Sequence, residues 1–316
     1  MTVALAFDAL LALLLLWSAW QTLATPQLDR AVIMFIVFGL LLTLVWARLQ
    51  APDIALAEAA LGAGLTGTLL LDALTAFRRP DRAAKQDRTM AAFRRFPALL
   101  ALLLLASALL AALTRLPAPS VDLPAAVAGQ LSNSGVSHPV TAVLLNFRGY
   151  DTLLEVAVLL LALMGILAVG LPAERPLLWR NQLAPPLARS AVPLMVLAAF
   201  YLLWAGAHRP GGAFQAAAVL AAAAVLLNLA QVQSRWLPTQ RWIRVMVGAG
   251  LLLFVGVAAT LLAGGGLLRY PPGQAGLLIL LIESGLTVSL AVNLAAFYLL
   301  RAPSSDQRTG QVDSHE

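Results

Sequence analysis

The side chains best placed for chemistry are carboxyls set among apolar residues. Glu283 stands in Leu281-Ile282-Glu283-Ser284-Gly285, about ten residues into the apolar run 274–300, which puts it near the middle of a membrane-spanning helix. An ionisable group at that depth costs about 2.5–3.5 kcal/mol on insertion scales, so it needs a partner, water or neutralisation. Asp53 and Glu58 begin another apolar segment, separated by about 7.5 Å along a helix. Asp151 and Glu155, at i and i+4, share a helix face close to Arg148. His208 and Arg209 precede the turn Pro210-Gly211-Gly212, which stops one helix and starts the next because proline is tolerated at a helix start and glycine allows close backbone approach. Groups of this kind take up and release protons or cations. Each also has a plainer reading: Glu283 as a protonated hydrogen-bonder between helices, Asp53 as a charge at a helix N-terminus, Asp151 and Glu155 in an interfacial salt bridge with Arg148, and His208 as part of a packing turn. Glu58 has no such structural excuse and reads as a proton-exchanging group. Asp8, Asp72, Asn228, Gln231 and Asn293 read as terminal or interfacial groups, or as simple interhelical hydrogen-bonders.

The elements that must hold these groups are membrane helices. The chain has 316 residues, 60% hydrophobic and only 11% charged, which excludes a soluble domain. Apolar runs of about 20 residues, each long enough for a hydrocarbon core of about 30 Å, recur at 3–24, 30–47, 53–77, 96–114, 152–172, 189–206, 212–231, 241–263 and 274–300. The expected fold class is an all-α polytopic membrane protein with about nine transmembrane helices, grouped three, two and four. The first run lacks a basic leader and contains Asp8, so it reads as a span and not as a cleaved signal. If the helices alternate, 16 of the 21 Lys and Arg fall on one side and 5 on the other. By the positive-inside rule the N-terminus then lies outside and the C-terminus in the cytoplasm, in a multi-pass protein of the cell inner (plasma) membrane.

Composition also divides the chain. Residues 1–80 form a three-helix block, and a connector with a two-helix block occupies 81–180, including a Pro-, Ser- and Gly-rich external loop at 115–150. A four-helix block covers 185–301, and the polar tail 302–316 is expected to be disordered. Small residues at packing spacing, such as Gly62, Gly64 and Gly67 or Gly248, Gly250 and Gly256, point to close helix contact.

Several functions are excluded. There is no cysteine, hence no disulfide, thiolate ligand or cysteine nucleophile. His138, His208 and His315 are too widely separated for a metal cluster, so no metal site is expected. The net charge of +6 follows helix ends and makes no nucleic-acid surface. No phosphate-cradling loop or nucleophile with a positioned base occurs, so the chain is not expected to be an enzyme or to hold a cofactor. Redox chemistry would belong to a partner.

Three stretches together resemble a known family. Asp29-Arg30-Ala31-Val32 and the run from Ala51 through Asp53 and Glu58 to Gly64 are similar to the MbhD-type domain of membrane-bound hydrogenases and of the C-terminal part of the Mrp antiporter protein MrpA, with Ala57 where that pattern usually has threonine. The run from Val140 to Val158, including Asn146-Phe147-Arg148-Gly149-Tyr150-Asp151, looks like the MbhE-type segment that follows. Gly206 to Gln215 resembles the MnhB/MrpB signature: Pro210, Gly211, Gly212, Phe214 and Gln215 remain, while Ala213, Ala216 and Ala217 replace expected glycines. The resemblance implies an MrpA tail fused to MrpB, in a multisubunit Mrp-type antiporter carrying Na⁺ and H⁺. The implied partners are the other subunits and membrane lipid. The related alternative is the membrane arm of a redox-driven, complex I-like assembly such as a ferredoxin-linked hydrogenase, towards which Glu58-Ala-Ala-Leu-Gly leans. A third reading is a purely structural scaffold. The only lysine is Lys85, in a loop, so the lysine chain of the large pumping subunits is missing and transport by this chain alone is not expected.

Overall fold

The computed structural model describes residues 2–77, 88–117, 121–169, 184–230, 232, 240–271 and 273–299. All regular structure among them is helical: α1 (Thr2–Ala24), α2 (Leu28–Arg48), α3 (Pro52–Ala57), α4 (Thr66–Phe77), α5 (Arg88–Thr114), α6 (Leu123–Gln130), α7 (Pro139–Ala142), α8 (Gly149–Val169), α9 (Ala184–Ala205), α10 (Ala213–Leu229), α11 (Gln240–Ala263) and α12 (Ala275–Leu299). Two π-helical stretches, Glu58–Leu65 between α3 and α4 and Val143–Phe147 after α7, and a short 3₁₀ segment, Leu131–Asn133, complete it. The expected polar links around 78–87 and 170–183, Gln231 and the tail from 300 lie outside the described residues, as does the side chain of Asp72.

Each of the nine apolar runs contains a helix. Among the described residues seven are long and apolar enough to cross a membrane, while Leu100–Thr114 and Ala213–Leu229 are shorter. Both shortfalls have local causes. In α5 the apolar stretch begins only after Arg94, Arg95 and Pro97 and ends before Arg115. In α10 the helix cannot start before Ala213, because Gly211 and Gly212 hold φ of 155° and 110°, a region that side-chain-bearing residues avoid.

The chain divides into two compact units, residues 1–77 with 127–316, and residues 78–126. The smaller unit consists mainly of α5. In the larger, α12 is the central element, packed against α10, α11 and α8, while α9 packs mainly on α10 and also touches α12. Its core is filled by Phe254, Leu163, Ile279, Ile282, Leu286 and Leu290, all essentially inaccessible. Glycine sets the closest helix approach: a Cβ on Gly250 would lie 2.5 Å from Ser289 Cβ and 2.8 Å from the Gly285 carbonyl oxygen. Ser289 Oγ and Asn293 Nδ2 then both reach the Val247 carbonyl, at 2.7 and 2.9 Å. The N-terminal helices are arranged more simply, with α1 on α2 and α2 against α3, the 58–65 stretch and α4. That 58–65 stretch also touches α10, which joins the two groups of helices.

Much of the Pro- and Ser-rich segment at 115–150 is regular. After α6 comes a single 3₁₀ turn, Leu131–Asn133. The Ser134 hydroxyl donates to the carbonyls of Leu131 and Val136, and the Asn146 amide donates to the Ser134 carbonyl. Gly135, at φ 82°, lies against Gly276 at the start of α12, where a Cβ on either glycine would meet the other's backbone within 2.7 Å.

Candidate functional site

Asp53 enters the first turn of α3 because Pro52 occupies the opening helical position, where no N–H is needed. It does more than complement that helix end. Its Oδ2 lies 2.9 Å from His138 Nε2, and its Oδ1 accepts the Gly211 N–H at 3.1 Å. Gln215 Nε2 adds a bond to the Asp53 carbonyl at 3.4 Å. Three remote stretches therefore meet at one carboxylate. Around it the Ser137 and His138 N–H groups donate to the Ala207 carbonyl, and the Thr141 hydroxyl donates to the Gly206 carbonyl at 2.5 Å.

The Pro-Gly-Gly turn is what makes this meeting possible. A Cβ on Gly206 would lie 2.6 Å from Gly212 Cα, and one on Gly211 would lie 2.5 Å from the Leu202 carbonyl. Two backbones close on each other here, and Glu283 comes in beneath them. Its carboxylate reaches the N-terminus of α10, where it accepts the Ala213 N–H and where a Gly212 Cβ would stand 3.0 Å from Oε1. Gly212, the N-cap, has no side chain to cap the helix, so a carboxylate from α12 does so in its place. Only 2% of Glu283 is exposed, and its Oε2 has no hydrogen-bond partner among the described residues. A buried polar atom of that kind requires water, a proton acceptor or a cation.

A cavity of about 430 Å³ provides the room. Its polar lining comes from Asp53, Thr141, Thr152, Glu155, Gln215 and Glu283, and the remainder is apolar. Carboxylates from α3, α8 and α12 thus border one space. Glu155 lies on the exposed side of α8, one turn beyond Asp151, and closes no bond of its own among the described residues.

The structure separates some groups that the sequence placed together. Asp151 and Glu155 do not act as a pair: Asp151 is in an ion pair with Arg148 at the surface, while Glu155 borders the cavity. Glu58 is outside the cavity lining; its carboxylate lies against Gly62, where a Cβ would collide with it. Five residues after Asp53 on a helix is a rotation of about 140°, which turns Glu58 onto a different face. His208 is away from the carboxylates as well. Its Nδ1 is 2.9 Å from Ser137 Oγ, and its ring stands edge-on to Trp204. Phe214 packs into the core beside the cavity, and Pro210 stays at the turn. The residue that sequence reasoning passed over is His138. Its signal was modest: a histidine directly before Pro139, at the N-cap of a short helix. No group of three or more metal-ligating side chains occurs among the described residues.

Two family models match the chain. Residues 13–79 match MbhD, the D component of MBH, and residues 185–300 match the domain related to the MnhB subunit of Na⁺/H⁺ antiporter. One chain carries both domains. A chain in the structure of the Mrp complex from Dietzia sp. DQ12-45-1b superposes at TM-score 0.72 and 21% identity, over 92% of this chain and 34% of that one. This chain therefore spans about a third of the length of that relative. A chain of the membrane-bound sulfane sulfur reductase, an archaeal respiratory membrane complex, superposes at TM-score 0.55 and 24% identity, over 66% of this chain and 99% of that one. At these identities the likeness is one of fold. No curated protein matches the sequence. The MbhD domain supplies Asp53, the MnhB-related domain supplies Gly211, Gln215 and Glu283, and the segment between them supplies His138 and Glu155.

Proposed function

We propose that this chain is an integral component of an Mrp-type Na⁺ (cation)/proton antiporter complex in the cell inner membrane, contributing a carboxylate-lined part of the ion or proton path. The observation that carries the reading is the shared cavity, bordered by Asp53, Glu155 and Glu283 from three parts of the chain, with Glu283 Oε2 buried and unpartnered. A carboxylate at that depth is too costly to keep for packing alone, whereas a group that exchanges a proton or a cation repays the cost. The order of the two matched regions supports the assignment to an MrpA tail joined to MrpB, and the resemblance of Val140 to Val158 to the MbhE-type segment supplies the link between them. Glu155 supports partner subunits. An exposed carboxylate on a membrane helix must be covered by protein or reach water, and other subunits of the assembly close that side. The 16-to-5 distribution of Lys and Arg puts Asp53, His138 and the Pro-Gly-Gly turn at the outer end, with the C-terminus in the cytoplasm. The chain works as a transporter component and not as an enzyme, and Na⁺ and H⁺ are its transported ions.

The test is cation/proton exchange by the assembled complex in inverted vesicles. Glu283→Gln lowers the rate at least about tenfold with the composition of the complex unchanged, and Glu58→Gln lowers it by a smaller factor. Wild-type exchange in both variants would remove the path role, and loss of assembly with no effect on the remaining complex would leave a scaffold. The likeness to the archaeal respiratory complex and the match to MbhD favour one second reading, the membrane arm of a redox-driven assembly. Copurification of a nickel- or iron–sulfur-bearing arm with this chain would decide for it.

A further inference from the structure

We infer that His138 is the proton-relay residue at the loop end of the cavity, handing protons to and from Asp53. The inference rests on the cavity being part of an ion path, and it assigns the access role to His138 in place of His208.

The geometry is continuous. His138 sits at the N-cap of α7 in a loop, with its side chain 13% exposed, and Asp53, 12% exposed, lies directly behind it. The 2.9 Å contact between Nε2 and Oδ2 is a formed hydrogen bond, and Asp53 is at the same time part of the cavity wall that includes Glu283 and Glu155. One imidazole therefore links the loop surface to the carboxylate cavity through a single bond. Imidazole suits the task because its two nitrogens let a proton arrive on one and leave from the other. In the inward step a hydronium ion at the loop surface protonates Nδ1 of the neutral Nε2–H ring and leaves as water; the Nε2–H bond then breaks and an Oδ2–H bond forms, so the imidazolium becomes neutral and the carboxylate becomes a carboxylic acid. The ring is left as the Nδ1–H tautomer, and exchange of protons with water returns it to the Nε2–H form. No oxidant or reductant is involved.

The surroundings hold the relay in place. The Ser137 and His138 N–H groups are fixed to the Ala207 carbonyl at 2.9 and 3.1 Å, and the Gly211 N–H fixes the other oxygen of Asp53. The titratable groups that face His138 are Asp53 on α3 and, across Ser137, His208 on the 206–212 turn; Glu283 and Glu155 stand beyond Asp53. His208 bonds Ser137 and has no contact with a carboxylate among the described residues, which is why it is not the relay.

The experiment is His138→Gln in the whole assembled complex. Glutamine keeps an N–H for Asp53, so a clamp survives, but it cannot accept and release a proton. We expect normal assembly, exchange lowered about tenfold, and a flattened pH dependence of exchange. His208→Gln measured beside it keeps the wild-type pH profile. Rate and profile unchanged in His138→Gln, with Glu283→Gln impaired, would overturn the relay and leave the cavity path standing; wild-type exchange in both Glu283→Gln and Glu58→Gln would remove the path itself. His138→Ala with added imidazole gives a second readout. Recovery of exchange supports the relay, and an assembled variant that imidazole fails to restore overturns it.

Discussion

The last helix, α12, and the two helices at the N-terminus are alike in being long and apolar, yet they bury their residues very differently. In α12 50% of the most apolar window is buried within the chain, against 11% in α1 and 17% in α2. The contrast shows that apolar length selects a helix for the membrane but says little about its neighbours, since lipid is as apolar as leucine. What distinguishes α12 is its small and polar residues. Gly285, Ser289 and Asn293 face α11, and Glu283 faces the turn before α10. On α1, by contrast, Trp20, Leu16 and Leu13 point outward, 64–70% exposed. The C-terminal helices thus hold one another, while the N-terminal helices are attached through the 58–65 stretch and the Asp53 contacts and present wide outer faces.

The strongest way to break this contrast is Gly250→Leu. The obstacle there is backbone and a short side chain, neither of which can turn away. Overpacking at about 1–3 kcal/mol, with loss of two hydrogen bonds to the Val247 carbonyl at about 1 kcal/mol each, gives roughly 3–5 kcal/mol. No assembled complex should be recovered in detergent, and a wild-type yield would mean that the α11–α12 contact does not organise the domain.

Gly67→Ala is the N-terminal counterpart and should do far less. A Cβ at Gly67 lies 2.6 Å from Ile36 Cγ1, a side-chain contact with no backbone behind it, on a partly exposed helix. Ile36 is stiff at χ1, so α2 must shift slightly, while alanine regains about 1 kcal/mol of helix propensity, and the net cost stays at about 1–2 kcal/mol. The complex should assemble with a modest fall in thermal stability. A collapse comparable with that of Gly250→Leu would show the two groups of helices to be equally tightly specified.

These differences bear on what could be read in advance. The apolar runs, the place of Glu283 inside the last of them and the break at Pro210-Gly211-Gly212 were legible, because each depends on local composition and chain geometry. The company kept by each carboxylate was not. Asp53 finds His138 85 residues away and Gly211 158 residues away, separations at which one sequence carries no pairing signal. At α8 the spacing pointed to Arg148 as the ion-pair partner, which holds for Asp151, but it gave no sign that Glu155 borders the cavity. One turn of depth sends the first to Arg148 at the surface and the second to the cavity. The Pro- and Ser-rich composition of 115–150 likewise concealed that its hydroxyl and amide groups close its own turns. The two π-helical stretches also had no sequence signal; they are stabilised by bonds such as Thr66 Oγ1 to the Leu61 carbonyl and Thr152 Oγ1 to the Leu144 carbonyl.

The smallest expected effect concerns how the MnhB-related domain grips the middle segment. Tyr270, in the loop between α11 and α12, donates its hydroxyl to the Leu145 carbonyl at 2.9 Å, within the second π-helical stretch. Burial pushes its phenol up to about 12 from the ordinary 10, since the charged form is poorly solvated there. The folded protein therefore favours the neutral phenol. Its contribution is complete below about pH 10, where the unfolded chain also keeps the proton, and is lost as pH rises through about 12. Tyr270→Phe should cost about 1 kcal/mol at neutral pH, from one lost hydrogen bond to a half-buried carbonyl. That difference should shrink between about pH 10 and 12, because ionised wild type can no longer donate. Thermal unfolding of the purified complex across that range measures it. A wild-type–variant difference that stays constant throughout would mean that the phenol does not hold the 143–147 stretch, leaving the Gly135–Gly276 backbone contact to fix the middle segment against α12.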